Sequence, residues 1–508
     1  MNENIKNRAR LHRVIAIAAS LALLAMTVAW QSMRPISSLK LLGVALASVA
    51  SLAACSLMPT YERPPAPIPA QWPGATVPAA NQGGPAAPSM ALDWQEFFTD
   101  PTMRQLIEVA LANNRDLRVA VLNIEQARAQ LGLRRADQFP TLNAAITGAR
   151  TPTSAGAIAS AYSAGLTVTA YELDFFGRVA SLQEQALAQY LATREASNTA
   201  RISLIASVAQ TWLSLLADQE LLSLSQQTLD TRKDTLTLIE LRLRYGAASE
   251  LDRRLAQSLF ESARVTLAQL ERQRALDESA LSLLLGQALP LAAQQTSQRG
   301  ASATLLAQLR FAEPPVGLPS ELLTRRADIR QAEQQLIASN ANIGAARAAF
   351  FPRISLTAGS GSASGELAGL FKNGSWGWTL APQLVLPLFD AGRNQAGLDS
   401  AQAGRDIAVA QYEKAIQSAF REVADALVGR DTLARQLDAS QALLQADTAR
   451  QSLTALRYQH GAASQLDWLD AQRSLFASQQ ALVQTRLAYL QNQIALYKTL
   501  GGGVSAAR

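Results

Sequence analysis

The sequence predicts a mainly α-helical chain with a small β portion, built as two tandem copies of one unit. Three observations carry that expectation. Arg242-Leu-Arg-Tyr-Gly-Ala-Ala-Ser-Glu-Leu-Asp252 returns 215 residues later as Arg457-Tyr-Gln-His-Gly-Ala-Ala-Ser-Gln-Leu-Asp467. No proline interrupts 178–289 or 388–508, and apolar residues there recur at helical spacing, as in Ile205, Val208, Ala209, Trp212, Leu215 and Leu216. Four short segments have β character: Thr141–Arg150, Ser160–Asp174, Arg353–Gly361 and Ser375–Leu388.

Residues 1–54 read as an export signal. Two apolar stretches, Val14–Trp30 and Leu39–Ala54, follow basic flanks, and the second ends in Leu52-Ala53-Ala54-Cys55. Met33 opens a compact signal by itself, which makes it the expected true start. Otherwise Val14–Trp30, at about 17 residues, is marginally long enough for an inner-membrane helix. Small residues running into Cys55 resemble the bacterial lipobox, which implies cleavage before Cys55 and lipid on its sulfur and new amino group. Ser56 then favours the outer membrane. Residues 55–100 hold a proline-rich stretch from Pro59 to Pro73 that cannot be helical and reads as an extended tether.

Charge and composition exclude several functions. The formal charge of the 508 residues is +6, but residues 1–54 alone carry +5. No Lys/Arg run interleaved with aromatics remains, so nucleic-acid binding is not expected. A single cysteine excludes a disulfide scaffold and a thiolate zinc cluster. His12 and His460 are the only histidines, and no nucleotide fingerprint or zinc motif appears. Neither an enzyme nor a cofactor is expected.

The copies span roughly 101–290 and 315–503, joined by a linker over 291–314 and followed by a tail over 504–508. Each opens with a helix, Met103–Gln138 or Ser320–Phe350, closed by Phe139-Pro140 or Phe351-Pro352 because proline disfavours helix in the residue before it. Two β segments follow, linked by Gly- and Ser-rich loops at Pro152–Gly156 and Gly359–Gly374. Trp376 and Trp378 are expected in an interfacial belt, with one tryptophan per strand face. After Gly177 or Gly392 a helix begins; from Arg178 to Tyr245 it would reach about 100 Å. Turns at Gly246 and Gly461 lead into return helices, with Ser249 and Ser464 as N-cap candidates. Their narrow apolar faces call for coiled-coil-like packing.

Four strands cannot close a membrane barrel, which needs about eight. Two chains would supply eight strands and three chains twelve, and arithmetic leaves the choice open. A lipid-anchored periplasmic coiled-coil scaffold without a pore is the alternative.

The element order resembles the TolC-like outer-membrane efflux channels, in the OprM/NodT lipoprotein branch. Gly317-Leu-Pro-Ser-Glu-Leu-Leu-Thr-Arg-Arg-Ala-Asp-Ile-Arg-Gln-Ala-Glu333 resembles the segment entering the second repeat, with Ala327 where proline is usual. Tyr171-Glu-Leu-Asp-Phe-Phe-Gly-Arg178 and Leu386-Pro-Leu-Phe-Asp-Ala-Gly-Arg393 resemble the strand-to-helix returns at Gly177 and Gly392. The resemblance implies a homotrimer with a twelve-stranded barrel in the outer membrane of a Gram-negative bacterium and a helical tunnel in the periplasm. It implies a passive duct for drugs or small toxic compounds, with a periplasmic adaptor and an inner-membrane RND-type pump as partners; a type I secretion duct is the alternative. Its gate would lie at the hairpin turns. Asp467 and Asp470, three apart on one helix face, would line the constriction as six carboxylates, whose crowding raises some pKa values. Tyr458 would latch the closed state, with Asp252 as its acceptor. The family's arginine partner is replaced by Ala463, and His460 is expected to face solvent.

Overall fold

The computed structural model describes residues 57–69, 72, 92–154, 156–291, 293–295, 305–314 and 319–502. The export signal, Met33, Cys55, the tail over 504–508 and the Gly317-Leu318 start of the signature lie outside the described residues. The chain divides into two compact units. Of the first, Met1–Leu57 with Phe175–Gly177, the described residues are Leu57 and the Phe175–Gly177 return, where Gly177 has φ +71°. The second, Met58–Asp174 with Arg178–Arg508, holds every helix and strand named below.

Copy one comprises α1 (Pro101–Asn113), α2 (Arg115–Ala136), β1 (Leu142–Pro152), β2 (Ile158–Leu173), α3 (Arg178–Arg244) and α4 (Glu250–Leu285). Copy two repeats the order from its second helix on, with α5 (Ala327–Ala348), β3 (Arg353–Ser364), β4 (Trp376–Val385), α6 (Arg393–Gln459) and α7 (Gln465–Thr499), preceded by a short helical turn at Leu322–Arg325. The single helix expected over Met103–Gln138 is two, broken at Asn114. Its backbone is extended, its side chain caps Leu117 N at 2.8 Å, and its Nδ2 donates to Leu284 O of α4 at 2.9 Å. One side chain thereby satisfies two helix ends. The helix expected from Ser320 breaks likewise at extended Arg326, whose guanidinium donates to Asp328, Glu422 and Thr499 O.

The outgoing helices α3 and α6 each have 67 residues, against 36 and 35 for the returns α4 and α7. Each return therefore covers only the turn-proximal half of its partner. The strand-proximal half of α3 packs against α2 and α5 instead, and α3 also packs on α7. Core residues concentrate where these layers overlap. Trp212, Leu213 and Val208 of α3 bury against Leu281 and Leu285 of α4 and Ile494 and Tyr497 of α7, with Phe97 stacked 4.1 Å from Tyr497. One window of α3 is apolar enough to cross a membrane, but 61% of it is buried inside the chain, which marks it as core. By contrast, α6 buries nothing beyond Ala426 and leaves Val428, Leu443, Leu453 and Leu456 exposed.

The strands form one antiparallel sheet, β1-β2-β3-β4, with β1 and β4 at its edges. Pairing register assigns the two faces. One carries Leu142, Ile146, Leu166, Trp376, Trp378, Leu380 and Leu384, all between 49% and 68% exposed except Ile146 at 82%. The other carries small and polar residues such as Asn143, Thr147, Ser163, Thr167, Gly361 and Thr379, with Thr147 and Ser163 hydroxyls 2.7 Å apart. Both tryptophans share the apolar face, opposite Ser362 and Ser360. This corrects the expectation of one per face, since residues two apart on a strand point the same way.

The Gly359–Gly374 stretch is not all loop: β3 continues to Ser364. Its glycines permit close approach. A Cβ on Gly361 would lie 2.3 Å from Ala164 O, and one on its partner Gly165 would lie 2.4 Å from Ser360 O. β4 stops at Val385, short of the expected Leu388, where Pro387 has no N–H to offer. The proline-rich tether, where described, lies docked on the helices. Glu333 of α5 accepts from Arg63 at 2.7 and 2.9 Å and from Tyr61 at 3.0 Å; Asn340 donates to Pro59 O at 2.7 Å. Trp72 stacks 4.9 Å from Phe420 of α6.

Candidate functional site at the hairpin turns

The two turns share one local construction, because local chemistry repeats with the sequence. Gly246 and Gly461 both take φ +72°, a region that glycine enters without strain. Ala247 N donates to Arg242 O at 2.8 Å, and Ala462 N to Arg457 O at 2.7 Å, closing the preceding helices. Ser249 and Ser464 then cap the return helices. Each serine Oγ accepts from the backbone N–H of Asp252 or Asp467 at 3.1 Å. Each aspartate accepts in return from the serine N–H, at 2.9 or 3.0 Å, and from its hydroxyl at 2.7 Å. These are capping boxes with aspartate at the third helical position. Hydrogen bonds from Ser464 hold the Asp467 carboxyl below the ordinary carboxylate range, and those from Ser249 do the same for Asp252.

The hairpins of one chain meet at these turns. Arg242 Nη1 donates to Tyr458 Oη at 2.5 Å, and the guanidinium carbon lies 5.3 Å from the tyrosine ring centroid. Tyr458 stacks on Trp468 at 4.8 Å and 13°. Gln465 Nε2 reaches Asp252 O at 3.5 Å. Within a chain, then, Tyr458 is engaged by Arg242, while the Asp252 carboxylate is taken up by its own cap.

Asp470 lies one helical turn after Asp467, ion-paired with Arg473 and 3.7 Å from Arg450. Asp467 is exposed and carries no ion pair among the described residues; its carboxylate is engaged by the Ser464 cap. His460 is exposed at the end of α6. Gly392, at φ +85°, starts α6, and Asp390 accepts from Gly392 N and Asn394 N there. Sequence reasoning missed Arg242, Gln465, Arg450 and Arg473 as site residues. The repetition of arginine at 242 and 457 and the three-residue spacing of Asp470 and Arg473 were the available signals.

Comparison with known proteins gives consistent matches. The family model described as "Outer membrane efflux protein" matches residues 106–287 and 318–502. The solvent efflux pump outer membrane protein SrpC of Pseudomonas putida is 47% identical over 465 residues, covering 90% of this chain and 97% of that protein. Outer membrane protein OprJ of Pseudomonas aeruginosa is 46% identical over 479 residues, covering 91% and 96%. Among solved structures, the open state of the Neisseria gonorrhoeae MtrE outer membrane channel superposes with a TM-score of 0.78 at 37% identity, covering 89% of this chain and 99% of that one.

Proposed function

We propose, because this chain belongs to the outer membrane efflux protein family, that it assembles into the trimeric exit duct of a tripartite efflux system. It is a periplasm-to-exterior conduit in the outer membrane and does no chemistry of its own. Relatives named as solvent, toluene and antibiotic efflux pump proteins favour small toxic compounds and drugs as cargo. A periplasmic adaptor and an inner-membrane RND-type pump supply the energy.

The observation that carries the trimer is the sheet. Four strands of 10–16 residues leave the β1 and β4 edges unpaired while one face exposes Trp376, Trp378 and Leu380. In lipid, unpaired edges must close on other strands. Three chains give twelve strands, with the apolar face toward lipid and the small polar face toward the lumen. The docked tether supports lipidation at Cys55. Met58, three residues downstream, sits against Gly344 in the last turn of α5 and Ser181 in the first turn of α3, beside the strands.

The gate is the turn region. Opening separates hairpin two from hairpin one, which breaks the Arg242–Tyr458 bond and the Gln465–Asp252 contact. In the trimer, three Asp467 and three Asp470 side chains ring the constriction and select cations. Hydrogen bonds from Ser464 hold the Asp467 carboxyl below the ordinary carboxylate range, so cation preference should persist below neutral pH. Planar bilayers test this reading directly. The wild type should give single-channel steps with cation preference, and Asp467→Ala with Asp470→Ala should reduce preference and divalent block. Absence of any channel activity in heat-modifiable, folded protein would sink the duct. Unchanged selectivity in the double variant would remove only the carboxylate ring.

A further inference from the structure

We infer that Arg435 of one subunit pairs with the partner subunit's Glu271, and that the polarity of this pair makes the two kinds of hairpin alternate around the ring. The inference rests on the trimeric reading above and deepens it.

Within one chain, hairpin one (α3–α4) meets hairpin two (α6–α7) through α3 against α7. Glu220 of α3 and Arg486 of α7 lie 3.7 Å apart across that seam, with side chains only 15% and 14% exposed. Gln491 donates to Ser214 Oγ at 3.1 Å beside them. Away from the turns, where Arg242 meets Tyr458 and Gln465 meets Asp252, the flanks left over are α4 and α6. Since α6 copies α3 and α4 copies α7, a ring repeats the same contact between subunits, with α6 against the α4 of the next chain.

The 215-residue offset carries Glu220 to Arg435 and Arg486 to Glu271. Both charges invert, so attraction is preserved. Orientation agrees. Asp218 contacts Asp277 inside hairpin one, and Glu220 lies about 200° further round the helix, facing away from that hairpin. Arg435 and Glu271 take the corresponding outward positions on their own helices. Both are exposed, and neither forms an ion pair among the described residues; Arg435 Nε only touches Asp431 O of its own helix at 3.3 Å. Exposed Val428 on α6 and Leu276 on α4 lie on the same uncovered helices.

The inversion has a consequence for assembly. Hairpin two docked on another hairpin two would set Arg435 against Arg486. Hairpin one on another hairpin one would set Glu220 against Glu271. Both wrong arrangements confront like charges, and only alternation joins opposite ones, so repulsion supplies the discrimination.

The test uses full-length lipoprotein in mild detergent. Arg435→Glu and Glu271→Arg should each lower the trimer fraction several-fold under conditions that half-dissociate the wild type, and the double swap should restore it to within twofold. Arg435→Cys with Glu271→Cys should give covalent dimers and trimers with a short bismaleimide, and neither single variant should. A wild type that is monomeric in mild detergent overturns the trimeric reading itself. A trimeric wild type whose double swap is no better than the worse single variant, or whose cysteine pair fails to cross-link, overturns the seam alone.

Discussion

Replacing Asp218 by asparagine should abolish a pH dependence of stability that the wild type carries. Asp218 is 7% exposed where α3 packs on α4, and one of its oxygens has no hydrogen-bond partner. Burial, then a hydrogen bond to and repulsion from Asp277, push its carboxyl from 3.8 up to about 7. The folded chain therefore holds this proton more tightly than the unfolded chain. Stability from this group is full below about pH 4 and declines as pH rises through about 7. Between pH 5 and 8 about two units of the gap titrate, on the order of 3 kcal/mol. Unfolding entropy of about 2 cal/mol/K per residue over roughly 450 residues converts that to about 3 °C in Tm. The assay is helical ellipticity during thermal unfolding of detergent-solubilised protein at pH 5, 6, 7 and 8. Relative to the wild type, Asp218→Asn should gain about 3 °C in Tm between pH 5 and pH 8. Parallel Tm curves for wild type and variant would refute the shared-proton account of this pair.

Other perturbations follow the same logic. Tyr458→Phe removes the acceptor of the Arg242 bond; at about 1–2 kcal/mol, open-channel probability should rise about five- to thirtyfold, and no change in bilayer gating would deny the latch. Gly361→Ala drives a Cβ to 2.3 Å from Ala164 O, so the heat-modifiable, protease-resistant barrel fraction should fall sharply, and full retention would contradict the β2–β3 register. Glu333→Ala removes the partner of Arg63 and Tyr61; amide exchange over residues 58–63 should accelerate at least tenfold while α5 stays protected, and unchanged exchange would show that the strap is held by other contacts.

Much of the architecture was legible because its causes are local. Helix periodicity, the prolines at 140 and 352, the turn glycines and the cap serines act within about four residues of themselves, and duplication printed each of them twice. Even the capping-box role of Asp252 and Asp467 could have been read, three residues after Ser249 and Ser464. The faces of Trp376 and Trp378 could have been read too, from the two-residue strand period. The helix breaks were harder. Asn114 and Arg326 stop helices by bonding to Leu284 and Thr499, residues 170 and 173 positions away, and no local pattern announces such a partner.

By itself, the sequence determined the duplicated order of helices and strands and the chemistry of each turn, since those follow from neighbours along the chain. Tertiary structure alone decided that Tyr458 meets Arg242 within the chain, that Asp218 is buried beside Asp277, and that the tether is a docked strap. Each depends on which helix faces which, and that is set by packing of whole faces summed over many residues, a quantity that no short stretch of sequence contains.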